Sequence, residues 1–254
     1  MCFDHDSRPP IAPIAGGALD AQELTLSAAD GTALSAYRVR AAEPTGAGIV
    51  ILPDVRGLHP YYMALAERFA EHGVDAIAIG YFGRTAALGA RGADFGYEPH
   101  IAATTYAGLT ADLAAAAADL RSIDDAPTHL FTVGFCFGGR LAFLSATVGL
   151  GLAGSIGFYG PPTSARNDIP PPIEHVDRMA NPILGLFGGA DPGIPAEAIA
   201  AFEDALTGAG VEHRLVVAEG APHSFFDRKF EEFEDASAMA WDEVLAFIHA
   251  NTPD

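Results

Sequence analysis

Cys136 lies in the stretch TVGFCFGGRL (132–141), between a β-branched apolar run and a cluster of glycines. The spacing Gly134-x-Cys136-x-Gly138-Gly139 matches the G-x-S-x-G turn that joins a strand to a helix, with cysteine in place of serine. Such a turn exposes the nucleophile at the top of a sheet, and the N-terminus of the following helix lowers the pKa of a thiol there. The pattern therefore predicts a nucleophilic cysteine.

The same stretch fits two other patterns. A lone cysteine is most often a small buried core residue, and that alternative stays open. Gly134 and Gly139 also have the G-x-x-x-x-G spacing of a phosphate-binding loop. Arg140 and Leu141 stand where such a loop has Lys and Ser or Thr, so the phosphate loop is set aside.

A cysteine nucleophile needs a base, and the base needs an acidic residue to orient it. Asp191 lies in ILGLFGGADPGIP (183–195) and His223 lies in LVVAEGAPHSFFD (215–227), each in a loop after a predicted strand. Each residue alone is weak support, because an Asp in such a loop is more often a turn former. The chain order of nucleophile, acid and histidine is that of a hydrolase triad, which predicts His223 as general base and Asp191 as its orienting residue.

An oxyanion hole should use the backbone N–H after the nucleophile, here that of Phe137, and a second N–H in the loop after an early strand. PDVRGLHP (53–60) is that loop, and Val55 is the candidate for the second donor. Asp54 and Arg56 flank Val55. An ordinary ion pair within the loop is the alternative interpretation of these two charges.

The predicted elements place these residues at one edge of a sheet. QELTLSAADGTALSAYRV (22–39) alternates around a turn, which predicts an antiparallel hairpin. Six apolar runs then alternate with helical patterns, indicating an α/β protein with a mostly parallel central sheet of about eight strands and helices on both faces. In such sheets, ligands bind beyond the carboxyl ends of the strands. We expect a single domain over 1–254, with 1–17 as an irregular, Pro-rich N-terminal arm.

Composition excludes several classes of partner and site. With 33 acidic against 14 basic residues the net charge is −19, so neither nucleic acid nor a membrane surface is an expected partner. Cys2 and Cys136 are the only cysteines, which fits a reduced, cytoplasmic setting; no signal peptide or membrane span is expected. Cys2 and His5 are metal-ligand types near the N-terminus, but no second Cys/His pair completes a site, so no metal is predicted.

The chain resembles the dienelactone hydrolase family of α/β-hydrolases over roughly residues 24–250. The likeness rests on GFCFGGR around Cys136, FGGADPGIP around Asp191, GAPHSFFD around His223 and LPDVRGL after the first core strand. It implies the α/β-hydrolase fold and hydrolysis of a small enol-lactone or related ester through a thioester on Cys136, without a cofactor. A monomer or small homo-oligomer is expected.

Two positions depart from the family pattern that the resemblance brings with it. Well-characterised members carry a glutamate in the oxyanion loop that interacts with the resting cysteine, where this chain has Asp54. Those members also carry an arginine four residues after the histidine that helps to bind the substrate carboxylate. Asp227 stands there in this chain, and Arg228 follows it.

Other residues are candidates for the substrate pocket. Tyr159 stands where the family has a tyrosine close to the thiol, and Arg91 lies in a long loop after a predicted strand. The hypothesis is that Arg56, Arg91 and Tyr159, with Asp54, line the pocket, the alternative for each arginine being an ion pair with a surface carboxylate. The alternatives for function are a broader carboxylesterase or thioesterase of this fold, and a non-catalytic member that binds a ligand.

Overall fold

A computed structural model describes residues 6–14, 20–227 and 229–253 of the chain. Cys2, His5 and Arg228, all discussed above, lie outside the described residues. The predicted N-terminal arm is described over 6–14, where it forms neither helix nor strand.

The described residues contain eight strands in one sheet, which confirms the predicted fold class. The strands are β1 (Asp20–Ser27), β2 (Ala33–Arg40), β3 (Ala47–Leu52), β4 (Asp75–Ile79), β5 (His129–Phe135), β6 (Gly154–Phe158), β7 (Ile183–Gly188) and β8 (His213–Ala218). Their order across the sheet is β1-β2-β4-β3-β5-β6-β7-β8. β1 pairs antiparallel with β2, and β2 with β4, as the predicted hairpin requires, whereas all later pairs are parallel.

The helices in the described residues are α1 (Pro60–Glu71), α2 (Glu98–Ala102), α3 (Tyr106–Ser122), α4 (Phe137–Ser145), α5 (Ala196–Ala209) and α6 (Glu234–Ala250), with a 3₁₀ helix at Pro172–Arg178. The sequence predicted each of these except α2 and the 3₁₀ helix. Both are too short for an apolar periodicity to show above the surrounding loop.

The sheet is covered on both faces, as alternation along the strands requires. Ile49 and Ile51 of β3 face one core, which contains the buried sides of α1 and α6, including Trp241. Val50 and Leu52 face the other core, to which α3 contributes. None of the helices in the described part of the chain has both the length and the apolar character needed to cross a bilayer.

β8 differs from its prediction as a buried strand. It lies at the edge of the sheet and is largely half-buried or exposed, with Val217 at 40% exposure. An apolar run of this kind is typical of a strand buried on both faces, whereas β8 is the edge strand and has only one neighbour, β7.

The parallel arrangement brings the chemically interesting loops together. Strands β3 to β8 run in the same direction, so their carboxyl ends share one edge of the sheet. Asp54, Cys136, Tyr159, Asp191 and His223 each follow a different one of these strands.

Candidate active site

Cys136 occupies a strained turn between β5 and α4. Its φ of 54° and ψ of −107° place a non-glycine residue in a region that costs free energy. The flanking glycines permit the turn, because a Cβ on Gly134 would lie 1.9 Å from the Gly138 carbonyl oxygen, and one on Gly138 would lie 2.0 Å from that of Leu52. Cys136 is only partly buried, so it does not fit the alternative of a fully enclosed core cysteine.

Helix α4 begins directly at this turn. The Cys136 carbonyl accepts a hydrogen bond from the Arg140 N–H at 3.3 Å, and no side chain caps the helix. The Phe137 N–H is at the first helical position, where an N–H has no partner within its own helix. This is the position that the sequence predicted for an oxyanion donor.

Asp191 and His223 contact each other. The Nδ1 of His223 lies 2.5 Å from Oδ2 of Asp191, and Oδ1 of Asp191 accepts a hydrogen bond from the Gly193 N–H at 2.8 Å. Asp191 is buried, at 5% exposure. Because a carboxylate oxygen accepts hydrogen bonds, this contact gives Nδ1 of His223 the role of donor.

Backbone contacts between two loops hold this pair in register. The Gly189 N–H donates to the Ala218 carbonyl at 2.8 Å, and the Ala190 N–H donates to that of Ala221 at 2.9 Å. A Cβ on Gly188 would lie 2.4 Å from the Ala221 carbonyl oxygen, so the loops approach more closely than another residue allows. These contacts position Asp191, in the loop after β7, next to His223, in the loop after β8.

Tyr159 packs against the histidine. The centroids of its ring and of the His223 ring are 4.9 Å apart, and its φ of 38° is the second strained value at this edge of the sheet. Burial, and then the neighbouring Tyr61, Asp227, Asp54 and Cys136, raise the pKa of Tyr159 well above its ordinary value. The tyrosine is therefore a neutral hydroxyl close to both His223 and the thiol.

The loop after β3 is organised by its own charges and by helix α1. The Arg56 N–H donates to Oδ1 of Asp54 at 2.8 Å, and the Asp54 N–H donates to the Tyr62 hydroxyl at 3.0 Å. These contacts use the amides on either side of Val55. The Val55 N–H, which lies between them and is the predicted second oxyanion donor, takes no part in these contacts.

Arg56 connects this loop to the one that carries His223. Its guanidinium is 2% exposed, donates from Nε to Asp54 at 3.0 Å and from Nη2 to Asp227, and lies over the rings of Tyr61 and Tyr62. Burial acts to lower the pKa of Arg56, but the surrounding tyrosine and carboxylates raise it above the ordinary arginine value. The ion pair with Asp54 is thus formed, and a second one, to Asp227, accompanies it.

Asp227 has fewer hydrogen bonds than Asp54 among the described residues. Burial raises the pKa of Asp227 to about 6, against the opposing effects of Arg56 and of Ser7 in the N-terminal arm. Its Oδ1 is buried without a hydrogen-bond partner in the described part of the chain. The arm reaches this cluster, because Nη1 of Arg56 donates to the Ser7 hydroxyl at 3.2 Å.

Arg91 is folded back onto its own loop. Its Nη2 donates to the Ala87 carbonyl at 2.6 Å, and its guanidinium lies 4.5 Å from the centroid of the Phe95 ring. Its backbone N–H donates to the Leu58 carbonyl at 2.7 Å, so it borders the oxyanion loop. A role in substrate binding stays a prediction for Arg91, as it does for Asp54, Arg56 and Tyr159.

Sequence reasoning missed the two tyrosines at the start of α1. Besides the Tyr62 contact with Asp54, the Tyr61 hydroxyl donates to the Phe226 carbonyl at 2.8 Å. A signal was present in the sequence, since two adjacent tyrosines open a helix directly after the oxyanion loop. No group of three or more His, Cys, Asp or Glu side chains among the described residues is arranged to hold a metal ion.

Comparison with known proteins shows the family of the chain. The model of the dienelactone hydrolase family matches residues 34–251. A Synechocystis protein named "Putative carboxymethylenebutenolidase" is 30% identical over 219 residues, covering 80% of this chain and 87% of its own length. A Methylorubrum extorquens protein of the same name is 30% identical over 230 residues, covering 85% of this chain and 75% of its own length.

A solved structure described as "Putative Dienelactone Hydrolase" from Klebsiella pneumoniae superposes with a TM-score of 0.78 at 25% identity, covering 91% of this chain and 99% of that one. The sequence comparisons and the structural comparison therefore indicate the same family. The chain belongs to the dienelactone hydrolase family, and it is an ester hydrolase with the α/β-hydrolase fold.

Proposed function

We propose that this chain hydrolyses a small ester or enol-lactone through a thioester on Cys136, with His223 as general base and Asp191 orienting it. The observation that carries the proposal is the 2.5 Å contact between His223 Nδ1 and Asp191 at the edge of the sheet where Cys136 occupies its strained turn. Nucleophile, orienting acid and base, after the ends of β5, β7 and β8 on one edge of the sheet, are the constellation that acyl transfer needs.

The first half-reaction forms the thioester. His223 Nε2 accepts the Cys136 thiol proton, the sulfur bonds to the substrate carbonyl carbon, and the resulting oxyanion accepts hydrogen bonds from the Phe137 and Val55 N–H groups. The bond from that carbon to the leaving oxygen then breaks, and His223 returns the proton to the oxygen. In a lactone, the leaving enol or alcohol stays attached to the acyl chain.

The second half-reaction releases the acid. His223 accepts a proton from a water molecule, whose oxygen bonds to the thioester carbon while the same two N–H groups hold the oxyanion. The carbon–sulfur bond breaks and Cys136 recovers its proton from His223. Asp191 stabilises the imidazolium in both halves, and none of these steps calls on a cofactor.

Asp54 has a different part in this proposal from that of the family glutamate. Its carboxylate accepts the Arg56 backbone N–H at 2.8 Å and the Arg56 Nε–H at 3.0 and 3.1 Å. These contacts support a role for Asp54 in shaping the oxyanion loop and hence in positioning the Val55 N–H. They favour this role over direct control of the Cys136 thiol.

Labelling of Cys136 tests the proposal. In a Cys2→Ser background, Cys136 is the only thiol, and one equivalent of iodoacetamide at neutral pH should add one carbamidomethyl group by intact mass and abolish esterase activity. Cys136→Ala should be inactive. A chain that resists labelling, together with a Cys136→Ala variant of full activity, would exclude the thioester mechanism.

Histidine variants supply the matched control. His223→Gln should lose activity by several orders of magnitude, whereas His249→Gln, at an exposed position near the end of α6, should not change kcat. Comparing kcat/KM for a muconolactone-type substrate with that for short nitrophenyl esters separates an enol-lactone hydrolase from a broader esterase of the same fold.

A further inference from the structure

The peptide group between Pro53 and Asp54 is hydrogen-bonded on both sides by tyrosine hydroxyls. Its carbonyl accepts a hydrogen bond from Tyr81 at 2.8 Å, and its N–H donates to Tyr62 at 3.0 Å. Pro53 and Asp54 are buried, and the two tyrosines are 3% and 1% exposed. Because a buried peptide group depends on such partners for its hydrogen bonds, the two hydroxyls fix the plane of this peptide. We call this arrangement the tyrosine clamp.

The two tyrosines of the clamp come from different elements. Tyr62 lies in the first turn of α1, and Tyr81 is the second residue after β4. In the sheet, β3 lies between β4 and β5, so Pro53, directly after β3, lies between Tyr81 and the nucleophile turn after β5. A Cβ on Gly138 of that turn would lie 2.4 Å from the Pro53 carbonyl oxygen. The carbonyl that Tyr81 holds therefore lies against the nucleophile turn.

Both hydroxyls of the clamp keep their protons. Burial, and after it the charge of Asp54, raises the pKa of Tyr81 well above its ordinary value. Burial and then Asp54 likewise raise the pKa of Tyr62 well above its ordinary value. A carbonyl oxygen only accepts hydrogen bonds, so the contact with Pro53 requires the protonated form of Tyr81.

The clamped peptide directly precedes the proposed oxyanion donor. The next peptide consists of the Asp54 carbonyl and the Val55 N–H, and its carbonyl accepts a hydrogen bond from the Gly57 N–H at 3.1 Å. Two hydroxyls thus hold one peptide, and a turn holds the carbonyl of the next. Since the orientation of the second peptide depends on that of the first, the clamp helps to set the direction of the Val55 N–H.

Tyr81 also contacts the residue that carries the other proposed donor. Its ring meets the Phe137 ring edge to face, with centroids 5.5 Å apart and an interplanar angle of 75°. An oxyanion hole is effective because its donors are in place before the charge develops, so that little reorganisation accompanies the reaction. A side chain in contact with both donor segments can keep them at a fixed separation.

We propose that Tyr81 and Tyr62 are positioning residues, which hold the Val55 N–H in its oxyanion-binding orientation by clamping the Pro53–Asp54 peptide. This inference rests on the proposed function, because the oxyanion forms only when Cys136 attacks a carbonyl carbon. Each tyrosine acts through the backbone of the loop and not by contact with the substrate. Loss of either hydroxyl therefore slows the steps that form an oxyanion and spares reactions of the thiol that form none.

Two reactions of Cys136 separate these cases. Attack on nitrophenyl acetate passes through a tetrahedral oxyanion, forms the acetyl thioester and releases nitrophenolate. Alkylation by iodoacetamide forms a carbon–sulfur bond at a methylene carbon and releases iodide, with no oxyanion. Both are measured in the Cys2→Ser background, where Cys136 is the only thiol.

Tyr81→Phe should affect only the first reaction. We expect kcat/KM for nitrophenyl acetate to fall by about tenfold or more, since removing an oxyanion donor outright costs about 10²–10³-fold. The alkylation rate constant should stay that of the parent chain. Tyr62→Phe should shift the two rates in the same directions. Both substitutions keep the aromatic ring, so the ring contact of Tyr81 with Phe137 is retained.

Tyr37→Phe is the matched control. Tyr37 is a half-buried tyrosine of β2, and its hydroxyl donates to Glu67 at 2.9 Å. Burial raises the pKa of Tyr37 to about 12, so it is also a neutral, hydrogen-bonded hydroxyl. Its loss should leave both rates unchanged. Thermal unfolding establishes that each variant is folded, and if Tyr81→Phe does not fold, Tyr62→Phe carries the measurement.

The outcomes separate the clamp from the mechanism. A selective loss of the ester reaction supports the clamp. If Tyr81→Phe leaves both rates unchanged, the clamp is wrong and the thioester mechanism stands. If both rates fall equally, the tyrosine acts on the thiol and not on the oxyanion, and the clamp is again wrong. If iodoacetamide does not label the parent chain, the proposed function fails and the clamp falls with it.

Discussion

Arg56 donates a buried hydrogen bond to Asp227 and thereby joins the oxyanion loop to the loop that carries His223, across 171 positions of sequence. Asp54 shares the same guanidinium. One cation thus lies between two buried carboxylates, so the cluster has an excess negative charge when both are ionised. Asp54 has three hydrogen bonds from Arg56, whereas one oxygen of Asp227 has no partner among the described residues.

The first prediction concerns stability against pH. Burial raises the pKa of Asp227 to about 6 in the folded chain, from an ordinary value of 3.8. Between these values the folded chain holds a proton that the unfolded chain has lost, so this residue's contribution to stability falls as pH rises from 4 to 6. The free energy of unfolding of the parent chain minus that of Asp227→Asn should be larger, that is more stabilising for the parent, by about 1–3 kcal/mol at pH 4 than at pH 7.

Urea unfolding of both chains at the two pH values measures this difference directly. Asp204→Asn, on the exposed side of α5, serves as control and should follow the parent curve at both pH values. If the parent chain instead gained stability relative to Asp227→Asn as pH rises, the ion pair with Arg56 would outweigh the effect of burial.

The second prediction concerns the orienting acid. Asp191→Asn should lower kcat by about 10²–10⁴-fold, because an amide can donate to Nδ1 and so favours the wrong tautomer of His223. Folding should be retained, since the loop keeps its backbone contacts with the neighbouring strand end. Esterase kinetics and circular dichroism of the variant measure the two effects separately; a kcat equal to that of the parent would remove Asp191 from the triad.

Much of the fold could be predicted because its elements have strong local patterns. β3 is a continuous apolar run, and all six of its residues are buried, as expected of a central strand between two helical layers. β8 has a similar run, yet it is the edge strand. The order of strands across a sheet is set by packing between distant segments, so it cannot be predicted from the apolar pattern of one strand.

Some residues of the candidate site could likewise be predicted from the sequence, whereas others could not. Cys136, Asp191 and His223 were identified from loops that directly follow strands, since parallel topology brings those loops together. The partnership of Arg56 with Asp227 was not, because nothing in either local sequence specifies a contact between residues so far apart. In the sequence, Arg140 only excludes a phosphate loop, and its burial, at 5% exposure, is a property of the folded chain.

The third prediction tests whether the close approach of two loops positions the acid and the base. A Cβ on Gly188 would meet the Ala221 carbonyl oxygen at 2.4 Å and that of Pro222 at 2.6 Å, both backbone atoms that cannot move without shifting His223. Gly188→Ala should therefore destabilise the fold by about 1–3 kcal/mol and lower kcat by tenfold or more, because small displacements of catalytic groups are costly.

Gly208→Ala separates that effect from the general consequence of adding a methyl group. Gly208 lies in α5, and a Cβ there would meet nothing within 4 Å. This substitution should leave kcat unchanged and raise the free energy of unfolding by up to about 0.5–1 kcal/mol, the cost of glycine in a helix interior, since Gly208 lies in the last turn of α5. If Gly188→Ala lost stability and kept the kcat of the parent, the register of these two loops would be structural only, and His223 would reach Asp191 without it.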